Sequence, residues 1–130
     1  MTTIAPTSAD HRSCVLIVDD EEEARESLRD VVELVGCSAL LAASAKEALA
    51  LLAESRPCLM VVDLMMPDMT GAQLLEAMNR EPAFRTVPVV ISTSAPERAP
   101  RGVPLLPKPI DIDALCGMMR RLCPCATPSS

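Results

Sequence analysis

The sequence predicts one α/β domain built on a doubly wound, five-stranded parallel sheet, and three observations carry the prediction. Short apolar runs alternate with helical or turn segments through five units, the pattern of strands covered by helices. The first and third runs end abruptly in carboxylates, at Asp19-Asp20 and at Asp63. The length, 130 residues, suits one domain of ordinary size and leaves no room for a second folded unit.

The first run, Cys14 to Val18, is apolar at every position, as a strand buried on both faces must be. From Glu21 onward Ala24, Leu28, Val31, Val32 and Val35 recur at helical spacing, and Gly36 supplies the stop. The acidic start also suits the positive end of the helix dipole. Ser38 to Ala42 is the second strand. Ser44, with Glu47 three residues on, has the capping-box pattern for a helix carrying Ala48, Leu49, Leu51 and Leu52 and ending before Pro57.

Cys58 to Val62 is the third strand, and Met66 to Gly71 a loop. Helical spacing resumes from Ala72 to Arg80 through Leu74, Leu75 and Met78. Val87 to Ile91 is the fourth strand, with Pro88 tolerated at its entrance. Val103 to Leu106 is a short fifth strand, and Asp111 opens the last helix, with Ile112, Leu115, Met118, Met119 and Leu122 on its apolar side. One unit is irregular. Between Thr93 and Val103 lie Pro96 and Pro100 and no apolar stripe, so a loop or single turn is expected where the fourth helix would stand. Residues 1–12 are expected to form a flexible N-terminal segment, 13–123 the domain, and 124–130 a flexible tail.

Composition narrows the function. A net charge of −6 and a pI near 4.7 exclude a dominant attraction to phosphate backbones, so no direct nucleic-acid partner is expected. Phe84 is the only aromatic residue, which removes base stacking as a binding mode. No apolar run approaches the ~20 residues that span a bilayer, and Met1 to Arg12 lack the apolar centre of a signal peptide. A cytoplasmic protein without membrane contact is expected. The six cysteines are scattered, with Cys14 and Cys58 opening apolar runs and only Cys123-Pro124-Cys125 looking paired. With His11 the one histidine, a closed zinc site lacks a ligand, and free thiols in a reducing compartment are the simpler expectation.

The chemistry lies where the strands end. Ligands of doubly wound sheets bind beyond the carboxyl ends of the strands. Asp19 and Asp20 follow the first strand, Asp63 the third, Ser92 and Thr93 the fourth, and Lys108 the fifth. Each alone has a plainer use: acids open helices, an aspartate caps a loop, hydroxyls end strands, and lysines sit in solvent. Their convergence on one edge is what distinguishes them. Three close carboxylates repel unless a cation neutralises them, and a hard divalent ion such as Mg²⁺ with oxygen ligands does so. A carboxylate nucleophile, a metal, an ammonium and a hydroxyl together suit phosphoryl transfer through an acyl phosphate.

From about Ser13 to Leu122 the chain resembles the CheY-like receiver domains of two-component response regulators. The resemblance rests on Val15 to Asp20, on Val61 to Pro67 with Gly71, on Pro88 to Thr93, and on Lys108-Pro109. It implies a flavodoxin-like strand order, 2-1-3-4-5. It also implies Asp63 as phosphoacceptor, with Asp20 binding Mg²⁺ directly, Asp19 acting mainly through a metal-bound water, and the Met65 carbonyl as the third protein ligand. Thr93 would be the hydroxyl that moves to meet the phosphate. Lys108 would pair with Asp63 or its phosphoryl oxygens, and Pro109 would set the following turn. The implied donor is a phosphohistidine on a sensor histidine kinase or histidine phosphotransfer protein. The implied catalysis is confined to the domain's own phosphorylation and dephosphorylation.

Two departures stand out. The interval from Thr93 to Lys108 is shorter than usual in receivers, and Leu105 occupies a strand-five position where many carry an aromatic. The usual output face is therefore altered. Two other classes remain in view: an Mg²⁺-dependent phosphatase working through an aspartyl phosphate, disfavoured because Met65 stands where a second acid belongs, and a phosphorylation-independent interaction module.

Overall fold

The computed structural model describes residues 14–124. The elements run β1 (Cys14–Val18), α1 (Glu22–Leu34), β2 (Ser38–Ala42), α2 (Ala45–Glu54), β3 (Leu59–Asp63), α3 (Gly71–Asn79), β4 (Val89–Thr93), a 3-10 turn (Pro96–Arg98), β5 (Leu105–Pro107) and α4 (Ile112–Leu122). All strand pairs are parallel, in the order β2-β1-β3-β4-β5. The expected doubly wound sheet and its strand order are observed. Residues 1–12 and 125–130, expected to be flexible, lie outside the described residues, as do His11 and Cys125.

The strands separate two apolar layers because successive side chains point to opposite faces. Val15, Ile17, Leu59, Val61, Val90 and Leu106 join α1 and α4 on one face, through Leu28, Val32, Leu115 and Met119. Leu16, Val18, Met60, Val62 and Ile91 join α2 and α3 on the other, through Leu52, Leu74 and Met78. β1 and β3 are buried at every position, which is why both read as unbroken apolar runs. Each fully buried leucine here contributes roughly 1.5–3 kcal/mol through removal from water.

Helix ends follow their local chemistry. Gly36 takes a positive φ of 105° just past α1, as its placement requires. Ser44 accepts from the Glu47 amide, while the Glu47 carboxylate reaches back to the Ala43 amide. Thr70 and Gln73 form a complete capping box at α3, and the Asp111 carboxylate caps α4 by accepting from the Asp113 and Ala114 amides. The fourth unit contains only the 3-10 turn, because Pro96 opens it at its first position and Pro100, lacking an amide donor, keeps it from continuing as a helix.

Three strand boundaries shift from those expected. β3 starts one residue later and includes Asp63, and β4 spans Val89–Thr93 rather than Val87–Ile91. β5 begins at Leu105. Pro88 and Pro104 lack the amide a ladder needs, so the pairing starts after each of them. The cysteines also differ from expectation. Cys58 and Cys123 are joined by a disulfide with Cα atoms 5.1 Å apart, and Cys37 is disulfide-bonded too, whereas free thiols were expected. Scattered spacing along the chain hid the convergence, since the start of β3 and the end of α4 meet only in the folded layer.

Candidate functional site

Parallel pairing puts the carboxyl ends of β1, β3, β4 and β5 on one edge. Val18 lies opposite Val62, so Asp19 and Asp63 emerge at the same level from adjacent strands. Asp63 in turn lies opposite Ser92, and Thr93 opposite Pro107, with Lys108 following directly. The Lys108 amide donates to the Thr93 carbonyl at 2.8 Å, fixing where the lysine leaves the sheet. The Lys108–Pro109 peptide is cis.

The side chains converge. One carboxylate oxygen from each of Asp19, Asp20 and Asp63 lies within 4.8 Å of the other two. Asp19 and Asp63 are buried, while Asp20 is exposed to solvent. Lys108 bridges the pair from the far side: its ammonium donates to Asp19 Oδ2 at 3.1 Å and lies 3.6 Å from Asp63 Oδ1. Asp19 is further held by the Glu21 amide, which donates to its Oδ1 at 2.9 Å.

Electrostatics follow from this packing. Burial, then the charge of Asp19, push the Asp63 carboxyl up to about 6, against Lys108 and a Met65 backbone hydrogen bond, which pull it down. Asp20 adds a smaller upward push. Burial works against the Lys108 ammonium, but its hydrogen bond to Asp19 and the charges of Asp19, Asp63 and Glu21 outweigh that and raise its pKa. The acids therefore carry more negative charge than one ammonium offsets. An all-oxygen, acidic donor set is what a hard divalent cation selects, so these residues fit Mg²⁺.

Thr93 is buried at the end of β4, and its hydroxyl accepts from the Ala95 amide at 2.9 Å. Ser92, also buried, has a hydroxyl without a hydrogen-bond partner. Met65 lies in the loop after β3 with its side chain turned to solvent. Gly71 lets α3 begin against the end of β3: a Cβ there would stand 2.8 Å from the Asp63 carbonyl oxygen.

Three supporting residues escaped the sequence reading. The Arg25 guanidinium donates to the Asp19 carbonyl at 2.7 Å. The Asp68 carboxylate accepts from the Ala45 and Lys46 amides at 3.2 and 3.0 Å, tying the loop after β3 to the start of α2. Glu21 contributes its amide to Asp19 and its charge to Lys108. Arg25 sits one turn into a helix whose acidic start was noticed, so its reach was within view. The Asp68 contact spans more than twenty residues and leaves no local signal.

With this geometry in hand, a family model described as the response regulator receiver domain matches residues 15–120. The chain belongs to that family. The receiver is 29% identical over 121 residues to Protein PilG of Pseudomonas aeruginosa, covering 88% of this chain and 90% of PilG. It is 33% identical over 121 residues to Response regulator MprA of Mycolicibacterium vanbaalenii, covering 88% of this chain and 52% of that protein. The chain thus spans about half the length of MprA. The CheY-like receiver domain from Methylobacillus flagellatus superposes with a TM-score of 0.78 at 24% identity, covering 85% of this chain and 98% of that one, which bears on the fold. As a receiver, the protein is a phosphoacceptor domain of two-component signalling. Among the described residues no helix is long and apolar enough to cross a membrane.

Proposed function

We propose that Asp63 is the phosphoacceptor of this receiver, taking its phosphoryl group from a phosphohistidine of a sensor histidine kinase or a histidine phosphotransfer protein. The observation that carries this is Asp63 at a strand end, grouped with Asp19 and Asp20 and faced by the Lys108 ammonium. In the transfer a carboxylate oxygen of Asp63 forms a bond to phosphorus as the phosphorus–nitrogen bond breaks, and the released imidazole regains a proton from solvent. Lys108 is already placed to pair with the oxygens of the incoming group, and Thr93 supplies a hydroxyl donor from the neighbouring strand. Asp19, Asp20, Asp63 and the Met65 carbonyl would hold Mg²⁺. When bound, Mg²⁺ supplies charge neutralisation for the transferring oxygens. The chemistry is the domain's own phosphorylation and dephosphorylation, in the cytoplasm, and not turnover of a separate substrate.

The test is intact-mass labelling with a small phosphodonor such as acetyl phosphate plus Mg²⁺. The wild-type chain is expected to gain one phosphoryl group, and Asp63→Asn none. Labelling of the variant at the wild-type rate would place the acceptor elsewhere. A second reading, a phosphorylation-independent interaction module, draws on the missing fourth helix. Equal partner affinity with and without beryllofluoride would favour it.

A further inference from the structure

The edge of the sheet opposite the acidic cluster holds chemistry that phosphoryl transfer does not use. Cys58 opens the approach to β3, and Cys123 is the C-cap of α4; both are buried in the same apolar layer as Cys37 and Cys116. The Cα atoms of Cys58 and Cys123 stand 5.1 Å apart, a separation that a disulfide spans without backbone movement. Reduced Cys58 has its own partner. The Cys58 sulfur lies 3.1 Å from the Cys14 carbonyl oxygen, so as a thiol it donates there instead of being left buried without a partner. Both oxidation states are thus accommodated by one backbone.

Access is unequal. Cys123 lies at the very end of α4, its amide donating to the Met119 carbonyl at 2.7 Å, and exposed Leu122 and Pro124 flank it. Fraying of that turn uncovers Cys123, while Cys58 stays against the sheet.

We infer that Cys58 and Cys123 form a reversible thiol–disulfide site, oxidised by a low-molecular-weight disulfide, that locks the last helix onto β3. The Cys123 thiolate attacks one sulfur of the oxidant, forming a mixed disulfide and expelling a thiolate. The Cys58 thiolate then attacks the Cys123 sulfur and expels the second thiolate. The protons lost by Cys58 and Cys123 end on the two leaving thiolates, so one disulfide is reduced as one forms. The cross-link closes a segment with a sequence separation of 65 that contains Asp63, Thr93 and Lys108. It lies one strand length from the acidic cluster, roughly 16 Å along β3. This inference stands independently of the phosphoacceptor assignment.

The test uses the full chain after equilibration with oxidised glutathione or with dithiothreitol, read by peptide mapping after alkylation and by amide hydrogen exchange. The oxidised sample is expected to yield a peptide joining Cys58 to Cys123. Its amides in the last two turns of α4 should exchange about tenfold more slowly than in the reduced sample, and its Tm should be higher by on the order of 10 °C. Cys123→Ala, a change at a helix end, should yield no joined peptide and lose the slowing of exchange in α4, keeping only whatever difference the separate Cys37 disulfide supplies. Absence of the joined peptide, a joined peptide without slower exchange in α4, or retention of zinc by the reduced chain in place of oxidation would each overturn the inference.

Discussion

Replacing Asp63 by asparagine should make the metal-free protein more stable above neutral pH, although it removes the proposed phosphoacceptor. Asp63 stands beside Asp19 and is buried, and its carboxyl is raised from an ordinary value near 3.8 to about 6. Each step of one in pKa is worth about 1.4 kcal/mol, so at pH 8 the ionised carboxylate costs the fold about 3 kcal/mol. That figure already includes the favourable pull of Lys108, 3.6 Å away. Because the folded pKa lies above the unfolded one, the neutral form's contribution is complete below about pH 4 and is lost as pH rises through about 6. Asparagine keeps the shape and removes the charge. In EDTA at pH 8 the variant should therefore melt about 10 °C above wild type, with the gap closing by pH 4. With no Trp or Tyr in the chain, the assay is far-ultraviolet circular dichroism under heat or urea. Saturating Mg²⁺ should narrow the gap at pH 8 by stabilising the wild-type carboxylates. A variant equal to or less stable than wild type at pH 8 in EDTA would refute the reasoning, since no electrostatic cost would then sit at Asp63.

Two other substitutions probe the surroundings. Gly71→Ala puts a Cβ 2.8 Å from the Asp63 carbonyl oxygen and 3.2 Å from Leu64 Cα, so backbone must shift; urea titration should show a loss of about 1–3 kcal/mol, together with slower labelling by acetyl phosphate. Lys108→Met removes the cation that lowers the Asp63 pKa, so carbon-13 detected titration of the carboxyl should place it above the wild-type value of about 6.

Much of this was readable in the chain because burial on both faces leaves a plain trace. Val15 to Val18 and Leu59 to Val62 are apolar at every position, and the carboxylate that ends each run marks the edge where the site forms. The truncated fourth unit was readable for a different reason, since Pro100 acts locally and no apolar stripe surrounds it. Strand starts were less legible because Pro88 and Pro104 lie within apolar segments whose hydrophobicity continues through them, while the ladder does not. What stayed hidden depends on tertiary proximity. The Asp68 bonds to the start of α2 and the Cys58–Cys123 link join residues that no periodicity relates. The acidic cluster is equally long-range, but a common strand-end position revealed it.

The short connection after β4 limits how far a disturbance at Thr93 can spread. The Thr93 hydroxyl holds the Ala95 amide, and the Ala95 carbonyl holds the Arg98 amide, so the little turn hangs from that one oxygen. A group that draws the hydroxyl toward Asp63 unhooks the Ala95 amide and frees only the few residues before β5. Where a full helix would act as a lever, this chain has a latch, and under the phosphoacceptor proposal a change at Thr93 would reach the patch around Pro96 to Arg101.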